Sequence, residues 1–328
     1  MQVLSNDCLS SFTYTVSDNV TINSMTVWNS SRSVKGTVII ESGGTLVINS
    51  GAVVQFGASW ETVDLDLLST NSSTLKTGRI VVKSGGNLRL DNCTVKGVYA
   101  CGKDWMWDGI ELHDGGHVFQ ANGAIIQDAK IGILVGSGSF GNSGTFNPTE
   151  ADGGGTISAT SGTISNCRRC IHFAPCTSNA STVSGIDFIC SGFLKDPSYR
   201  HFVNFPPNAD LVLTGMGTKE FVTANTAAGM VFDGCAWSNS ASVPKGWKCI
   251  GIYSYNSSYH YTGGNEITGL QTGIFATSAA DPTKFIYVSG GNDFSDNSIA
   301  IRFTGGSNHI ITNENTFNMT INASHPGL

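Results

Sequence analysis

Hydrophobic and polar residues alternate along this chain over short stretches, with no helical spacing. Residues 36–48 read GTVIIESGGTLVI, and the phrase recurs at residues 78–90 (GRIVVKSGGNLRL) and 109–120 (GIELHDGGHVFQ). Because every second residue on either side of the Gly-Gly pair is apolar, each copy predicts two short strands joined by a tight turn. The first two copies lie 42 residues apart, which we interpret as two repeats of roughly 20 residues each.

A second phrase fills the rest of the chain. Residues 126–135, 164–173, 267–276 and 294–303 align without gaps. The shared pattern is an apolar residue, any residue, Asp, Asn or Gly, three variable residues, a small residue, and then Ile-x-apolar. This pattern predicts a strand, a corner at the Asp, Asn or Gly, and a second strand entered through the small residue.

Strands this short cannot bury an apolar face alone, but stacked as successive turns of a solenoid they line one continuous core. We therefore predict an all-β, single-domain parallel β-helix with loop insertions. Residues 1–20 are expected to form a lead-in or cap, and residues 21–328 the β-helix, truncated at its C-terminus. Asparagines at repeated turns are expected to stack as a hydrogen-bonded ladder. The competing fold, a β-propeller, would need four-stranded blades of about 40–50 residues with their own signature.

The segment GTVIIESGGTLVINSGAVVQFG, at residues 36–57, precedes another Gly-Gly strand pair and then Trp107-Asp-Gly-Ile110. This arrangement resembles the right-handed β-helix repeats of large secreted surface proteins from the Bacteroidetes. Such proteins are commonly exported by the type IX secretion system. The resemblance implies a right-handed coil, an extracellular or cell-surface location, and partners that include a larger parent polypeptide or the secretion machinery.

Composition and charge remove several classes of function. The net charge is −6 with only 18 basic residues, which gives no electrostatic footprint for nucleic acid. No apolar run approaches the roughly 20 residues that a membrane span needs. Charged residues make up 13% of the chain, about half the usual share, as expected for closely stacked short strands.

Nine cysteines are present, most of them in closely spaced groups. The spacing predicts three local disulfides and hence an oxidising compartment: Cys93–Cys101, Cys176–Cys190 and Cys235–Cys249. The odd count leaves one thiol over, for which Cys8 is a candidate. Cys167 and Cys170 form a C-x-x-C, but Cys170 aligns with Gly132, Gly273 and Ala300 in the second phrase. We therefore expect a structural role for this pair, as packed thiols or a local disulfide.

Three insertions interrupt the repeats, at residues 97–108, 190–210 and 235–262, and binding or catalytic groups concentrate on such loops. The first insertion and the strand after it carry most of the candidate chemistry, at Asp104, Asp108, Glu111 and His113. Paired carboxylates can act as general acid and base on a glycosidic bond, and carboxylates with histidine can hold a metal. The simpler interpretation is that these polar residues solvate outward positions and turns.

Aromatic residues are candidates for binding sugar rings, because flat aromatic faces are apolar platforms with polar handles. The candidates are Tyr253, Tyr255, Tyr259, Tyr261 and Trp247. The alternative is that these rings pack beneath a neighbouring insertion. No cofactor is predicted, although Asp293, Asp296 and Glu314 are a weak candidate for a Ca²⁺ site.

The sequence favours a non-catalytic extracellular scaffold or adhesin segment that presents loops to a glycan or a cell-surface protein. The alternative is a polysaccharide lyase or glycoside hydrolase acting in the groove beside residues 97–117 and 190–210. Convergence of outward charged groups from these two insertions favours the enzyme, whereas scattering favours the scaffold. A third alternative is self-assembly through open edge strands at the ends of the coil.

Overall fold

The structure is a computed structural model. It describes residues 12–16, 18–59, 76–100, 103–136, 138–140, 146–148, 154–176, 178–192, 194, 220–240, 249–278, 283–305 and 308–318.

Within those residues the chain is entirely β, with no helix. Ten consecutive turns, here called rungs, each contribute one strand to each of three parallel sheets. The chain is therefore a right-handed parallel β-helix, as the sequence predicts. In the part of the chain that is described, no helix is long and apolar enough to span a membrane.

Each rung runs from sheet 1 to sheet 2 and then to sheet 3. Sheet 1 contains β1 (Val20–Ile22), β4 (Thr37–Ile40), β9 (Arg79–Val82), β14 (Trp107–Leu112), β17 (Ala129–Val135), β22 (Arg169–Phe173), β25 (Glu220–Asn225), β28 (Ile250–Tyr255), β31 (Thr272–Thr277) and β34 (Ile299–Thr304). Sheet 2 contains β2 (Met25–Trp28), β5 (Thr45–Ile48), β10 (Asn87–Asp91), β15 (His117–Ala121), β20 (Thr156–Ala159), β23 (Thr182–Ser184), β26 (Ala228–Asp233), β29 (Ser258–Thr262), β32 (Ile286–Val288) and β35 (Ile310–Ile311). Sheet 3 contains β3 (Arg32–Val34), β6 (Val53–Phe56), β11 (Thr94–Gly97), β16 (Ala124–Gln127), β21 (Gly162–Ser165), β24 (Ile186–Cys190), β27 (Ala236–Asn239), β30 (Glu266–Thr268), β33 (Asp293–Ser295) and β36 (Thr316–Asn318).

In the described part of the chain, three short antiparallel hairpins branch from the coil. They are β7 (Ala58–Ser59) with β8 (Lys76–Thr77), β12 (Tyr99–Ala100) with β13 (Lys103–Asp104), and β18 (Gly138–Phe140) with β19 (Phe146–Pro148). The first two lie between sheet 3 and sheet 1, and the third lies between sheet 1 and sheet 2. All three therefore lie in connections that border sheet 1.

Both repeated phrases correspond to corners of the coil. The Gly-Gly phrase is the corner from sheet 1 to sheet 2, and the second phrase is the corner from sheet 3 to sheet 1. At the latter corner Asp128, Asn166, Gly269 and Asp296 all have φ between 52° and 72°. Glycine, asparagine and aspartate tolerate this left-handed conformation best, which explains why the phrase requires one of the three at this position.

Apolar side chains from all three sheets fill the interior in columns that run from rung to rung. Phe56 stacks on Trp107 with ring centroids 4.7 Å apart, and Phe188 stacks on Trp237 at 5.0 Å. These four rings are at most 1% exposed. Each such burial contributes about 2–3 kcal/mol to folding, so the interior column is the main source of stability.

The corner from sheet 2 to sheet 3 carries the expected asparagine ladder in its last rungs. The backbone N–H of Asn265 donates to Oδ1 of Asn292 at 2.9 Å, and the Asn265 side-chain amide donates to the same oxygen at 2.8 Å. Asn292 repeats both bonds to Oδ1 of Asn315, at 3.2 and 2.7 Å. The ladder satisfies backbone donors at a buried corner, where an unpaired donor would be costly.

Two expectations about repeat length and insertions are wrong. The Gly-Gly copies at residues 36–48 and 78–90 lie on adjacent rungs, because Thr37 pairs directly with Arg79. Their 42-residue spacing is one rung that carries the β7–β8 hairpin. Residues 235–262 are mostly not an insertion either, since they contain the regular strands β27, β28 and β29, with residues 241–248 outside the described part.

The predicted disulfides are also wrong. Cys93, Cys176 and Cys235 have free, buried thiols, which excludes all three pairings; Cys101 itself lies outside the described residues. The two cysteines of Cys176–Cys190, and those of Cys235–Cys249, are fourteen residues apart. A chain of this length leads from one corner of the coil to a different one, so the two thiols of each pair lie on different sides of the coil. For example, Cys235 precedes β27 in sheet 3, whereas Cys249 precedes β28 in sheet 1. Burial raises the pKa of the Cys235 thiol to about 12.

Candidate functional site on the outer face of sheet 1

The three outer faces of the coil differ in their surroundings. Every connection from sheet 2 to sheet 3 that the strand order defines has one to four residues. All longer connections lie on the two edges of sheet 1, and they include residues 98–106, 136–155 and 191–219. Because chemistry concentrates where loops interrupt a rigid scaffold, the outer face of sheet 1 is the candidate functional site.

Rungs 3 to 5 of this face carry paired charges. Nη1 of Arg79 lies 3.0 Å from Oε2 of Glu111, and Nε2 of His113 lies 2.8 Å from Oε1 of the same carboxylate. On the next strand the ammonium of Lys130 pairs with Asp108. Both oxygens of Glu111 and one of Asp108 are thus engaged by neighbouring cationic or imidazole groups, so a substrate would have to displace them.

Rungs 6 and 7 hold a group of buried polar residues, here called the polar centre: Arg169, His172, Glu220 and Thr223. Nε of Arg169 lies 2.9 Å from Oε2 of Glu220 on the adjacent strand, and the two side chains are 10% and 5% exposed. His172 lies beside Thr223 in the strand register. Burial, together with the positive charge of Arg169, lowers the pKa of His172 to about 3, so this imidazole is neutral at physiological pH.

Rungs 8 to 10 are aromatic and more open. The rings of Tyr253 and Phe275 meet edge to face with centroids 5.5 Å apart. Cζ of Arg302 lies 5.1 Å from the centroid of Phe275, in cation–π contact. Tyr253 and Phe275 are half-buried, whereas Tyr255 and Arg302 are exposed. We name Tyr253 and Phe275 the aromatic platform.

The structure sorts the residues singled out from sequence. Asp108, Glu111 and His113 lie together on β14 and at its end, facing outward, whereas Asp104 belongs to the β12–β13 hairpin and pairs with Tyr99. Of the 190–210 insertion, residues 193 and 195–210 lie outside the described part of the chain. The predicted convergence of charged groups from the two insertions therefore falls on residues outside the described part of the chain.

The aromatic candidates separate sharply. Tyr253 and Tyr255 lie on the outer side of the coil, but Tyr259 and Tyr261 are 0% exposed and belong to the interior. Their prediction as sugar-binding residues is wrong, because β29 turns both rings inward against Phe232 and Trp237. Trp247 lies outside the described residues.

The described residues contain no group of three or more His, Cys, Asp or Glu side chains placed to hold a metal ion. Asp293, Asp296 and Glu314, the calcium candidates, are accordingly not brought together as such a group.

Sequence reasoning missed the polar centre and part of the platform. Leu134, His172, Phe275 and Arg302 each occupy the middle position of Ile-x-apolar in the second phrase. In the structure they form a single outward column on sheet 1. The middle position of Ile-x-apolar, compared across the copies of the second phrase, is therefore the sequence signal that could have identified the outer face of sheet 1.

Comparison of the chain with protein-family models, with curated protein sequences and with solved structures gives no match.

Proposed function

We propose that this chain is a non-catalytic β-helical segment of a larger secreted or cell-surface protein, and that it binds a glycan on the outer face of sheet 1. The aromatic platform carries the proposal. Tyr253 and Phe275 are held at the surface by a rigid sheet, and apolar ring faces are well suited to the apolar faces of sugars. The extracellular location and the likeness to type IX secretion cargo of the Bacteroidetes are part of the same proposal, as is a cell-surface protein as the alternative partner.

Binding is favoured over cleavage because the carboxylates on this face are already engaged. Asp108 is paired with Lys130, and Glu111 with Arg79 and His113. A glycosidase needs one carboxyl group free to donate a proton and a second free to act as base or nucleophile. Ion pairs of this kind hold the scaffold and orient neighbouring side chains.

A polysaccharide lyase or glycoside hydrolase remains the second candidate. One observation favours it: acidic, basic and imidazole groups from three adjacent strands, β9, β14 and β17, come together at rungs 3 to 5. Such a gathering of titratable groups on one face is also how active sites are built.

The test is a polysaccharide panel read for binding by glycan array and for cleavage by release of reducing or unsaturated ends. The double variant Tyr253→Ala/Phe275→Ala should lose binding by about tenfold or more, since each aromatic contact with a sugar contributes about 1 kcal/mol. Tyr287→Ala, which removes a half-buried aromatic ring from the outer side of sheet 2, is the matched control and should bind normally.

The two candidate functions give opposite results in the second readout. The scaffold predicts no cleavage by the unaltered protein. Cleavage that is lost in Asp108→Asn or Glu111→Gln would replace the scaffold by the enzyme. Binding that survives loss of both platform rings would show that the glycan lies elsewhere.

A further inference from the structure

The aromatic platform continues directly into the buried polar centre. Along the outward column of sheet 1, His172 pairs with Thr223, Thr223 with Tyr253, and Tyr253 with Phe275. Neighbouring parallel strands lie about 4.8 Å apart. Thr223 is thus one strand spacing from the half-buried ring of Tyr253.

In this centre Nη1 of Arg169 and Oγ1 of Thr223 are buried and have no hydrogen-bond partner. The residues are 8% and 6% exposed. Arg169 uses its Nε for Glu220, so the two N–H groups of Nη1 remain available. A buried donor without a partner costs about 1–3 kcal/mol, and an Nη1 group and a hydroxyl that both lack an acceptor indicate an acceptor that comes from outside the chain.

Charge points to the kind of acceptor. The column from His172 to Arg302 contains no carboxylate, and the charge of Glu220 is matched by that of Arg169. Arg302 places a second guanidinium over Phe275 at the other end of the platform. Arg169 on β22 and Arg302 on β34 lie on strands to either side of the platform strands, and positive groups so placed favour a ligand with regularly spaced negative groups.

We propose that Arg169 and Thr223 form an oxyanion subsite, in which the guanidinium Nη1 and the threonine hydroxyl donate hydrogen bonds to a carboxylate or sulfate group of an acidic polysaccharide that contacts Tyr253 and Phe275. This inference rests on the proposed glycan-binding function and specifies the class of glycan. Arginine suits the role because its planar fork donates to an oxyanion while Nε still holds Glu220.

The test uses three polymers with one backbone: dextran, carboxymethyl dextran and dextran sulfate, each immobilised for interferometry at physiological ionic strength. The protein should bind one or both charged polymers at least tenfold more tightly than dextran. The carboxymethyl and sulfate arms distinguish the two sources of the oxyanion. Failure to bind either charged polymer more tightly than dextran overturns the subsite, whereas glycan binding through the platform would stand if neutral sugars bind.

Thr223→Val provides the decisive variant, because valine keeps the shape and removes only the hydroxyl. Without ligand it should be as stable as the unaltered protein or more stable, since the removed oxygen has no partner. Binding to the charged polymer should fall about tenfold. Thr163→Val, on the outer side of sheet 3, is the matched control and should leave binding unchanged. Unchanged binding in Thr223→Val overturns the proposal.

Arg169→Lys supplies a second readout that retains the positive charge. Lysine can still pair with Glu220 but cannot donate from a planar fork in two directions. Binding to the charged polymer should fall, whereas the melting temperature should change little. Equal binding by lysine would mean that charge alone, and not an oxyanion subsite, attracts the polymer.

Discussion

The outer faces of sheet 1 and sheet 3 belong to the same ten rungs and share one interior, yet they differ in almost every other respect. Sheet 3 shows short polar side chains such as Thr163, Ser165 and Thr268, and its edge with sheet 2 has only tight turns. Sheet 1 has long connections on both edges and carries the ion pairs, the buried polar centre and the aromatic platform. The solenoid is thus uniform in its interior, and its outer face is more varied on sheet 1 than on sheet 3.

This difference shows which constraints act where. An inward side chain must fit the rungs above and below, so interior columns stay apolar and the corner between sheets 2 and 3 keeps its asparagine ladder. An outward side chain on sheet 1 meets no such requirement. The outer face of sheet 1 carries features that cost folding free energy, such as a buried ion pair and unpartnered donors, and the coil does not need them in order to form. For this reason the proposed function is placed on that face.

The largest effect on the unfolding free energy is expected for the buried ion pair of sheet 1, with a solvent-exposed ion pair as the comparison. Arg169→Ala removes the guanidinium that pairs with the buried Glu220 and should cost about 3–5 kcal/mol of unfolding free energy. Lys83→Ala removes the exposed pair with Glu41 and should cost less than about 1 kcal/mol. Urea unfolding followed by circular dichroism measures both. Equal losses would mean that the centre of sheet 1 is not buried in solution.

The corner opposite sheet 1 should matter for stability and not for binding. Asn292→Ala removes a fully buried member of the ladder and leaves the backbone donor of Asn265 without its acceptor, at a cost of about 1–3 kcal/mol. Asn318→Ala, at an exposed position of sheet 3, is the control and should be nearly neutral. Glycan binding should be unchanged in both variants. A loss of binding in folded Asn292→Ala would break the separation of the two regions.

A pH dependence should arise from the centre of sheet 1. Because the pKa of His172 is about 3 in the folded chain against a usual 6.5, the unfolded state binds the proton first as pH falls. Stability is therefore lost from about pH 6.5 downward, by about 2 kcal/mol between pH 7 and 5. Urea unfolding at the two pH values measures the loss, and His172→Gln should flatten it over this window. An equal slope in the variant would contradict the burial of this imidazole.

The smallest effect is expected on sheet 3. Thr268→Val changes an exposed outward side chain and should alter the unfolding free energy by less than about 0.5 kcal/mol, with binding unaltered. Thermal unfolding and the charged-polymer assay both apply. A marked loss of binding would give sheet 3 a part in the site and remove the contrast between the faces.

The fold could be predicted because its signals are local. Alternation around Gly-Gly marks one corner, and the Asp, Asn or Gly at positions such as Asp128 and Asn166 marks another through its left-handed backbone. The count of rungs could not be read from spacing, since the 42 residues from Thr37 to Arg79 look like two repeats and are one. Only pairing across the sheet shows where an insertion begins.

The site was predicted less completely for the same reason. The outward position of Glu111 is predictable from sequence, because apolar residues flank it on its strand. Tyr259 and Tyr261 also alternate with other residues along β29, but their side of the strand faces the interior. The segment SYHYT does not indicate which side of the strand faces the core. Cysteine spacing misled because separation along the chain does not give the corner of the coil. Arg169 and Glu220 are 51 residues apart, and their ion pair depends on strand register alone.

The most direct test is hydrogen exchange of the whole chain with and without a glycan found to bind, since both faces are then measured in one sample. We predict added protection in sheet 1, at Ile250–Tyr255 and Thr272–Thr277, and none at Glu266–Thr268 or Asp293–Ser295 of sheet 3. Protection confined to sheet 3, or spread equally over both sheets, would contradict the assignment of binding to the outer face of sheet 1.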